Sequence, residues 1–322
     1  MKRLLFFITL LVLVSLACGR FARPVPTVAA PPDLTATPLR VQNEATPTTE
    51  VPLSGFDPSY LGVTEKDVTY CTMGGVALKM DVYYPSSNEA PWAVTMYVHG
   101  GGWSSGDKAQ GAGALEIPSL QGAGFLVVSV NYRLVPEYPF PAMIEDVKCA
   151  VRFLRANAEH FNLDPNRIGA YGGSAGGHLV NMLGVTDPGA GFDVGEYLEY
   201  SSRVQAVVDM FGPADLTVEF PGGYGRLGDT VFGGLDAALA SPVTYVTSDD
   251  PPFLILQGDQ DTTVPPEQSQ IFYDWLVSAN VPATLVMVKN AEHGFRPVGG
   301  AIDPTREQLT QMAVDFFNQY LR

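Results

Sequence analysis

The stretch Ala170 to His178 reads AYGGSAGGH and contains the pattern Gly-x-Ser-x-Gly centred on Ser174. A short apolar run comes directly before it, so the pattern is predicted to lie where a strand ends and a helix begins. Its small residues allow a sharp turn that holds the serine hydroxyl at the helix N-terminus. The stretch therefore predicts a nucleophilic serine, although glycine- and serine-rich runs also occur in ordinary tight turns and phosphate-binding loops.

A glycine run follows the apolar segment Ala93 to Val98 and reads HGGGW from His99 onwards. Glycines let the backbone curl inward, so the N–H groups of Gly100 and Gly101 are predicted to face the reacting carbonyl together with that of Ala175. These three donors would form an oxyanion hole. His99 itself is interpreted as structural, and a plain loop is the alternative for the run.

The general base has to be a histidine, and the chain contains four, at positions 99, 160, 178 and 293. His293 is the predicted base because it lies in a loop after the strand-like run Ala283 to Val288, near the end of the chain. His178 lies one helical turn beyond the serine, where packing is the expected role. His160 is expected at a helix end in contact with solvent.

A carboxylate must orient the imidazole, and the stretch QGDQDTTVP at residues 257 to 265 offers two. Asp261 is the predicted acid because it follows a buried strand and gives the order serine, acid, histidine along the chain. Asp259 is interpreted as a turn residue. Asp209 and Asp215, in the segment VDMFGPAD one strand earlier, are alternative acids, with turn capping as their other expected role.

Four motifs together, HGGGW, GGSAGGH, DQDTTVP and AEHGF, resemble the esterase and lipase group of the α/β-hydrolases. The segment Asn131 to Asp146 is also similar, so the resemblance runs from about Asp67 to the C-terminus. Gly173 stands where many hormone-sensitive-lipase-like members have Asp, and no helical cap is expected before the first strand. The feruloyl-esterase-like subgroup is therefore the better match. The resemblance implies hydrolysis of carboxylic esters with Ser174, His293 and Asp261 as the catalytic triad and without a cofactor.

The segment from about Asp57 to Arg322 is predicted to be one α/β domain. The resemblance implies the α/β-hydrolase fold, a mostly parallel eight-stranded sheet with helices on both faces. A hairpin is expected over 68–72 and 76–84, then parallel strands at 93–98, 125–130, 167–171, 204–210, 253–256 and 284–288, and helices at 141–158, 175–184, 266–278 and 304–321. The loops 186–202 and 215–246 are expected to form the rim above the serine.

The beginning of the chain indicates export. Lys2 and Arg3 precede the apolar run Leu4 to Ala17, which is typical of a signal peptide over residues 1–17. Cys18 follows in a context that resembles a bacterial lipoprotein processing site, with ordinary secretory cleavage as the alternative. Residues 18–56 are rich in Pro, Thr and Ala and are predicted to be a disordered tether. The expected location is the cell surface or the extracellular space, with lipid attachment to a membrane at Cys18.

The composition of the chain limits the classes of partner and ligand that it is expected to bind. The formal net charge of -15 argues against nucleic acid, which requires clustered positive charge. No sequence motif of a metal site occurs, so no catalytic metal is expected. Cys71 and Cys149 are compatible either with a disulfide in an oxidising compartment or with two buried thiols.

The sequence thus predicts a carboxylesterase for short-chain or aromatic acyl esters, with a small-molecule ester as its substrate. Three alternatives remain open: a kynurenine-formamidase-like amide hydrolase, a peptidase of the prolyl oligopeptidase type, and a non-catalytic binding protein with the same fold. The peptidase would need an additional domain that the sequence does not indicate. Intact candidates for all three triad positions argue against the non-catalytic alternative.

Overall fold

The computed structural model describes residues 55–86, 89–220 and 231–322. The predicted signal peptide 1–17, Cys18 and the tether up to residue 54 lie outside the described residues. In the described part of the chain, no helix has both the length and the apolar character needed to cross a membrane.

Eight strands form one sheet in the order β1-β2-β4-β3-β5-β6-β7-β8. Strands β1 and β2 pair with each other, and β2 with β4, in antiparallel fashion, whereas all other neighbours are parallel. The strand bounds are Thr64–Met73, Val76–Tyr83, Trp92–Val98, Leu126–Val130, Leu163–Gly173, Ala206–Met210, Phe253–Gly258 and Ala283–Val288 for β1 to β8. The predicted eight-stranded, mostly parallel sheet is confirmed.

Helices cover both faces of the sheet. Six are present in the described residues: α1 Ile117–Gly122, α2 Ala142–Ala156, α3 Ala158–Phe161, α4 Ala175–Val185, α5 Pro266–Ser278 and α6 Arg306–Leu321. Residues of β3 alternate between two hydrophobic clusters, with Met96 in the cluster below α2, α4 and α5, and Tyr97 in the cluster below α1 and α6. Because both faces are buried, the central strands are mostly apolar, with Thr95, Ser129 and Gln257 as buried polar exceptions.

The prediction of individual elements was accurate for the long, strongly patterned ones. The α5 bounds agree at both ends, and α6 begins two residues later than predicted because Thr305 caps it through a reciprocal bond pair with Gln308. The six-residue helix α1 was not predicted. The two-residue strands β9 (Ala291–Glu292) and β10 (Arg296–Pro297), which pair with each other on either side of His293, were also missed.

Cys71 and Cys149 form a disulfide that joins strand β1 to helix α2 across 78 residues of sequence. Between the two possibilities that the sequence left open, the structure therefore has the bonded pair. A loop of this length loses much conformational freedom in the unfolded chain when its ends are joined. The bond is thus expected to stabilise the outer antiparallel strands against α2.

Replacing both cysteines, Cys71→Ala and Cys149→Ala together, is expected to lower the free energy of unfolding by about 4 kcal/mol, because the crosslink restricts a long loop. Urea unfolding of the double variant and the parent protein measures this difference. The parent protein in the presence of dithiothreitol provides a matched control, because reduction removes the same crosslink without a substitution. Equal stabilities of the double variant and the parent would contradict the stabilising role.

Candidate active site

Strand β5 ends in a tight elbow that presents Ser174. Its backbone has φ 58° and ψ −123°, in the left-handed region that favours glycine, and its N–H donates to the Met210 carbonyl at 2.9 Å. The flanking glycines are required by space: a Cβ on Gly172 would lie 2.6 Å from the Gly176 carbonyl oxygen, and one on Gly176 would lie 2.1 Å from that of Val98. Ser174 therefore sits where the sequence placed it, directly before α4.

Three side chains from three loops form one hydrogen-bonded chain. His293 Nε2 lies 3.0 Å from Ser174 Oγ, and His293 Nδ1 lies 2.8 Å from Asp261 Oδ2. These contacts span 119 and 32 residues of sequence. The structure thus brings together all three residues that the sequence selected, in the geometry of a serine nucleophile, a base and an orienting carboxylate.

Asp261 is buried in the loop after β7, and its two oxygens have separate partners. Oδ1 accepts hydrogen bonds from the backbone N–H groups of Thr263 and Val264, both at 2.9 Å, which leaves Oδ2 for the histidine. The turn therefore fixes the carboxylate, and the carboxylate fixes the ring. With Nδ1 donating to Asp261, Nε2 is left to accept the serine proton.

The alternative acids have other partners. Asp209 is fully buried on β6, where it accepts from the Gly212 N–H and from the side-chain amide of Asn181. Asp215 accepts from the backbone and the hydroxyl of Thr217. Both therefore have the turn-capping contacts expected as their other role. Asp259 lies two residues before Asp261 in the turn after β7, with its N–H donating to the Val288 carbonyl.

The proposed oxyanion donors lie on both sides of the serine. Gly100 is so close to the elbow that an added Cβ would lie 2.7 Å from the Gly173 carbonyl oxygen, and Gly101 has φ 115°. Ala175 is the first residue of α4. In the described part of the chain, the N–H groups of these three residues donate to no protein acceptor. They are available to an oxygen atom bound beside Ser174.

Helix α4 contributes an electrostatic effect at the same place. The four N–H groups of its first turn cannot bond within the helix, and they carry partial positive charge at the end where Ser174 lies. This field favours negative charge that develops near the serine. It acts in the same direction as the backbone N–H donors.

The other three histidines have structural environments. His178 Nδ1 accepts from the Trp103 indole at 3.3 Å while Nε2 donates to the Ala240 carbonyl, and burial lowers the pKa of His178 to about 4. His99 stacks on Tyr132 with ring centroids 4.3 Å apart, and burial lowers its pKa. His160 lies partly exposed in the short helix α3. None of the three replaces His293 at the serine.

A cleft of about 720 Å³ opens above Ser174. Its walls are mainly aromatic and small apolar side chains, with Tyr97 and Trp103 on the glycine-loop side and Phe211, Phe220 and Val264 on the other. Among the described residues, no Lys, Arg, Asp or Glu lines it, and its two histidines are His99 and His293. The cleft is therefore suited to an uncharged, partly apolar ligand.

The prediction that the loops 186–202 and 215–246 form the rim of the cleft is partly wrong. No cleft-lining residue comes from the loop 186–202. That loop is held against helix α2 instead, where Lys148 and Arg152 both bind Asp193 and Arg152 also donates to the Glu196 carbonyl. Among the described residues of the loop 215–246, Phe220 lines the cleft, and residues 100–112 contribute a further part of its wall.

Phe211 is a site residue that the sequence analysis missed. Its ring centroid lies 4.8 Å from that of His293 and 4.9 Å from that of Phe295 in edge-to-face contacts, so it supports the base from behind. A Cβ on Gly173 would lie 3.0 Å from this ring. Gly173, noted above as a departure from many relatives, is thus the residue that leaves room for Phe211. The position of Phe211 directly after β6 was the available signal.

No group of His, Cys, Asp and Glu side chains that could hold a metal ion occurs among the residues described. The acidic residues near the site have protein partners, Asp261 with His293 and Glu292 with Arg296 and Thr262.

Asp209→Asn is expected to make stability less dependent on pH. Burial raises the pKa of Asp209 from 3.8 to about 7, so between about pH 4 and pH 7 the folded protein holds a proton that the unfolded chain has released. The free energy of unfolding therefore falls as pH rises through this window, and asparagine removes that loss. Asn181 has a free Oδ1 that can accept from the new amide after rotation.

The expected readout is the difference in free energy of unfolding, variant minus parent, which should rise by about 3 kcal/mol between pH 4.5 and pH 7.5. Urea unfolding at both pH values measures it. Asp215→Asn, at a carboxylate that is only partly buried, is the control, and the change with pH should be larger for Asp209→Asn than for this variant. A constant difference for Asp209→Asn would show that its carboxyl is ionised throughout.

Curated proteins of similar sequence carry the names of ester hydrolases. The family model described as BD-FAE matches residues 80–276. The "Probable carboxylic ester hydrolase LipM" of Mycobacterium tuberculosis is 32% identical over 243 residues, which is 70% of this chain and 53% of LipM. This chain spans about half the length of the first curated relatives it matches.

Solved structures share the fold at similar identity. A structure named "Truncated form of carbohydrate esterase from gut microbiota" is 30% identical with a TM-score of 0.67, covering 83% of this chain and 99% of that one. Thermogutta terrifontis esterase 2, solved phosphonylated by sarin, is 26% identical with a TM-score of 0.71, covering 80% and 95%.

Proposed function

Because this chain belongs to the BD-FAE family and has the α/β-hydrolase fold, we propose that it is a serine hydrolase of carboxylic esters. One observation carries the proposal: the hydrogen-bonded chain from Ser174 through His293 to Asp261. The names of its relatives, a carboxylic ester hydrolase and esterases, support the same reaction class.

The first half of the proposed reaction forms an acyl-enzyme. Ser174 Oγ attacks the ester carbonyl carbon and transfers its proton to His293 Nε2, while Asp261 stabilises the resulting imidazolium. The carbonyl oxygen becomes negative and accepts hydrogen bonds from the oxyanion donors described above. When the tetrahedral intermediate collapses, the bond to the alcohol oxygen breaks and His293 returns the proton to that oxygen.

The second half releases the acid. Water takes the place of the alcohol, gives a proton to His293 Nε2 and attacks the acyl carbon. The intermediate collapses with cleavage of the bond to Ser174 Oγ, which receives the proton back. No cofactor takes part in this scheme, since each proton and each bond is accounted for by the triad, the substrate and one water.

The proposed substrates are small esters with short or aromatic acyl groups. The aromatic walls of the cleft, formed by Tyr97, Trp103 and Phe211, would contact a flat acyl group. The Thermogutta esterase named above has also been solved with butyrate bound, which is a four-carbon acid. A substrate of this size fits the cleft without reaching beyond it.

A panel of p-nitrophenyl esters from acetate to dodecanoate, with benzoate added, tests this proposal. We expect kcat/KM to be highest for short and aromatic acyl groups and to fall or level off beyond about four to six carbons, because a longer chain finds no further apolar contact. N-formylkynurenine is the comparison for the alternative amide hydrolase. A higher kcat/KM for that amide, or a steady rise through dodecanoate, would overturn the stated preference.

Export to the cell surface with lipid attachment at Cys18 is proposed as the setting of this activity. The Cys71–Cys149 disulfide supports export, because such bonds persist in oxidising compartments. Intact mass of the protein purified from membranes tests the anchor, with Cys18→Ser as the matched variant. A mature chain that begins after residue 18 and is recovered only from the medium would leave ordinary secretion as the explanation.

A further inference from the structure

A second groove of about 500 Å³ begins where the catalytic cleft ends. We call it the side groove. Its lining includes Ala112, Leu115, Gly294, Arg296, Ile302 and Thr305. Ala112 and Gly294 line both the side groove and the cleft, so the two depressions adjoin at these residues.

The direction of proton transfer decides which part of an ester would point into the side groove. In the proposed reaction, His293 gives its proton to the alcohol oxygen, so the alcohol must leave on the His293 side of Ser174. The carbonyl oxygen occupies the opposite side, at Gly100 and Ala175. The side groove is lined by the residues directly after His293, beginning with Gly294, and therefore lies in the path of the alcohol.

The chemistry of the groove favours a neutral, apolar group. The Leu115 side chain is 64% exposed there, and Ile302, Ala301 and Pro297 continue the apolar surface. Both cations of the groove have acidic partners, Arg296 with Glu292 and Arg306 with the buried Glu116. The carboxylate of Glu307 stands exposed to water in the first turn of α6 and disfavours an anionic alcohol.

The walls of the groove are braced against movement. The Arg306 guanidinium donates to the Ala112 carbonyl, pairs with Glu116 and lies over the Phe295 ring at 5.3 Å. Helix α6 is thereby joined to the segment before α1 and to the loop after His293. An alcohol group that enters the groove would meet a preformed surface. Binding would therefore cost less conformational entropy than it would at a wall that has to be ordered first.

We propose that the side groove is the alcohol subsite of this esterase and that it selects esters of bulky, neutral, apolar alcohols, with Leu115 as the specificity-determining side chain. The proposal rests on the serine esterase function given above and extends it to the leaving group. An aryl or fused-ring alcohol would cover Leu115 and Ile302 and remove their apolar surface from water, in the transition state as well as in the bound substrate.

Three acetates with one acyl group and different alcohols test the proposal: ethyl, benzyl and 2-naphthylmethyl acetate. Leu115→Asp should lower the ratio of kcat/KM for naphthylmethyl acetate to that for ethyl acetate by about tenfold, because the charge removes the apolar contact. Leu115→Met should keep the ratio of the parent. Leu198→Asp is the matched control, since Leu198 is 57% exposed but lies in the loop held against α2, and it should leave the ratio unchanged.

A charged and a neutral ester of similar shape test the electrostatic part of the proposal. The parent enzyme should prefer 4-(acetoxymethyl)benzamide over 4-(acetoxymethyl)benzoate, which has nearly the same shape and carries one negative charge. An unchanged ratio in Leu115→Asp, or a preference for the benzoate, would overturn the alcohol subsite while leaving the esterase function in place. Failure to hydrolyse any of the acetates would overturn the esterase function and the subsite together.

Discussion

Ser174→Ala is expected to lower kcat by about five to six orders of magnitude while leaving the fold intact. The variant keeps the Cβ and the tight elbow but loses the oxygen that forms the acyl bond. His293 loses one contact, and its bond to Asp261 is retained. The measurement is steady-state hydrolysis of p-nitrophenyl acetate, with thermal unfolding to show that the variant is folded.

Covalent labelling makes the same prediction specific to one residue. A fluorophosphonate should label the parent protein at Ser174, as a structural relative is phosphonylated by sarin, and should not label Ser174→Ala. Ser278→Ala is the matched control, because that serine is exposed at the end of α5 and bonds only to the Trp275 carbonyl. A label found on another serine, or turnover close to that of the parent, would show that the nucleophile lies elsewhere.

Asp261→Asn is expected to lower kcat by about four orders of magnitude. The new Oδ1 can still accept from Thr263 and Val264, so the turn should keep its shape. The amide would then present N–H to His293 Nδ1, which stabilises the tautomer whose Nε2 carries a proton and cannot accept one from Ser174. The kinetic measurement is kcat for the same ester. Slow labelling of the variant at Ser174 by the fluorophosphonate would show that the serine keeps its position in the site.

Asp209→Asn separates this effect from the general loss of a buried carboxylate. Asp209 is also buried and also accepts two hydrogen bonds, but it has no contact with His293. Its variant should keep most of the activity at pH 7.5. A larger loss of activity in Asp209→Asn than in Asp261→Asn would assign the orienting acid to β6.

The sequence predicted the sheet and the triad because both depend on local patterns. The strands are short apolar runs, and Ser174, Asp261 and His293 each follow one of them, where parallel strands bring their C-terminal ends to one edge. The Gly-x-Ser-x-Gly elbow and the HGGGW run add steric requirements that glycine alone meets. Such signals can be read without knowing which distant residues come into contact.

Features that depend on distant contacts were not accessible in the same way. Lys148 and Arg152, two buried cations on α2, hold the loop 186–202 against that helix. The sequence pattern of α2 indicates only an amphipathic helix and does not predict these contacts. The side groove is formed by a segment before α1 and a segment before α6, separated by almost 200 residues. The support of His293 by Phe211 requires that β6 lie beside β7, which the order of strands along the chain does not reveal.

The backbone of Ser174 limits how heat resistance could be gained in this protein. A non-glycine residue at φ 58° and ψ −123° costs the folded state about 1 to 3 kcal/mol, and glycine would relieve most of that cost. The residue best suited to the turn is therefore glycine, which lacks the hydroxyl of the proposed nucleophile. Selection for a higher melting temperature has to act on other positions, such as the carboxylate of Asp209, while the nucleophile keeps its unfavourable conformation.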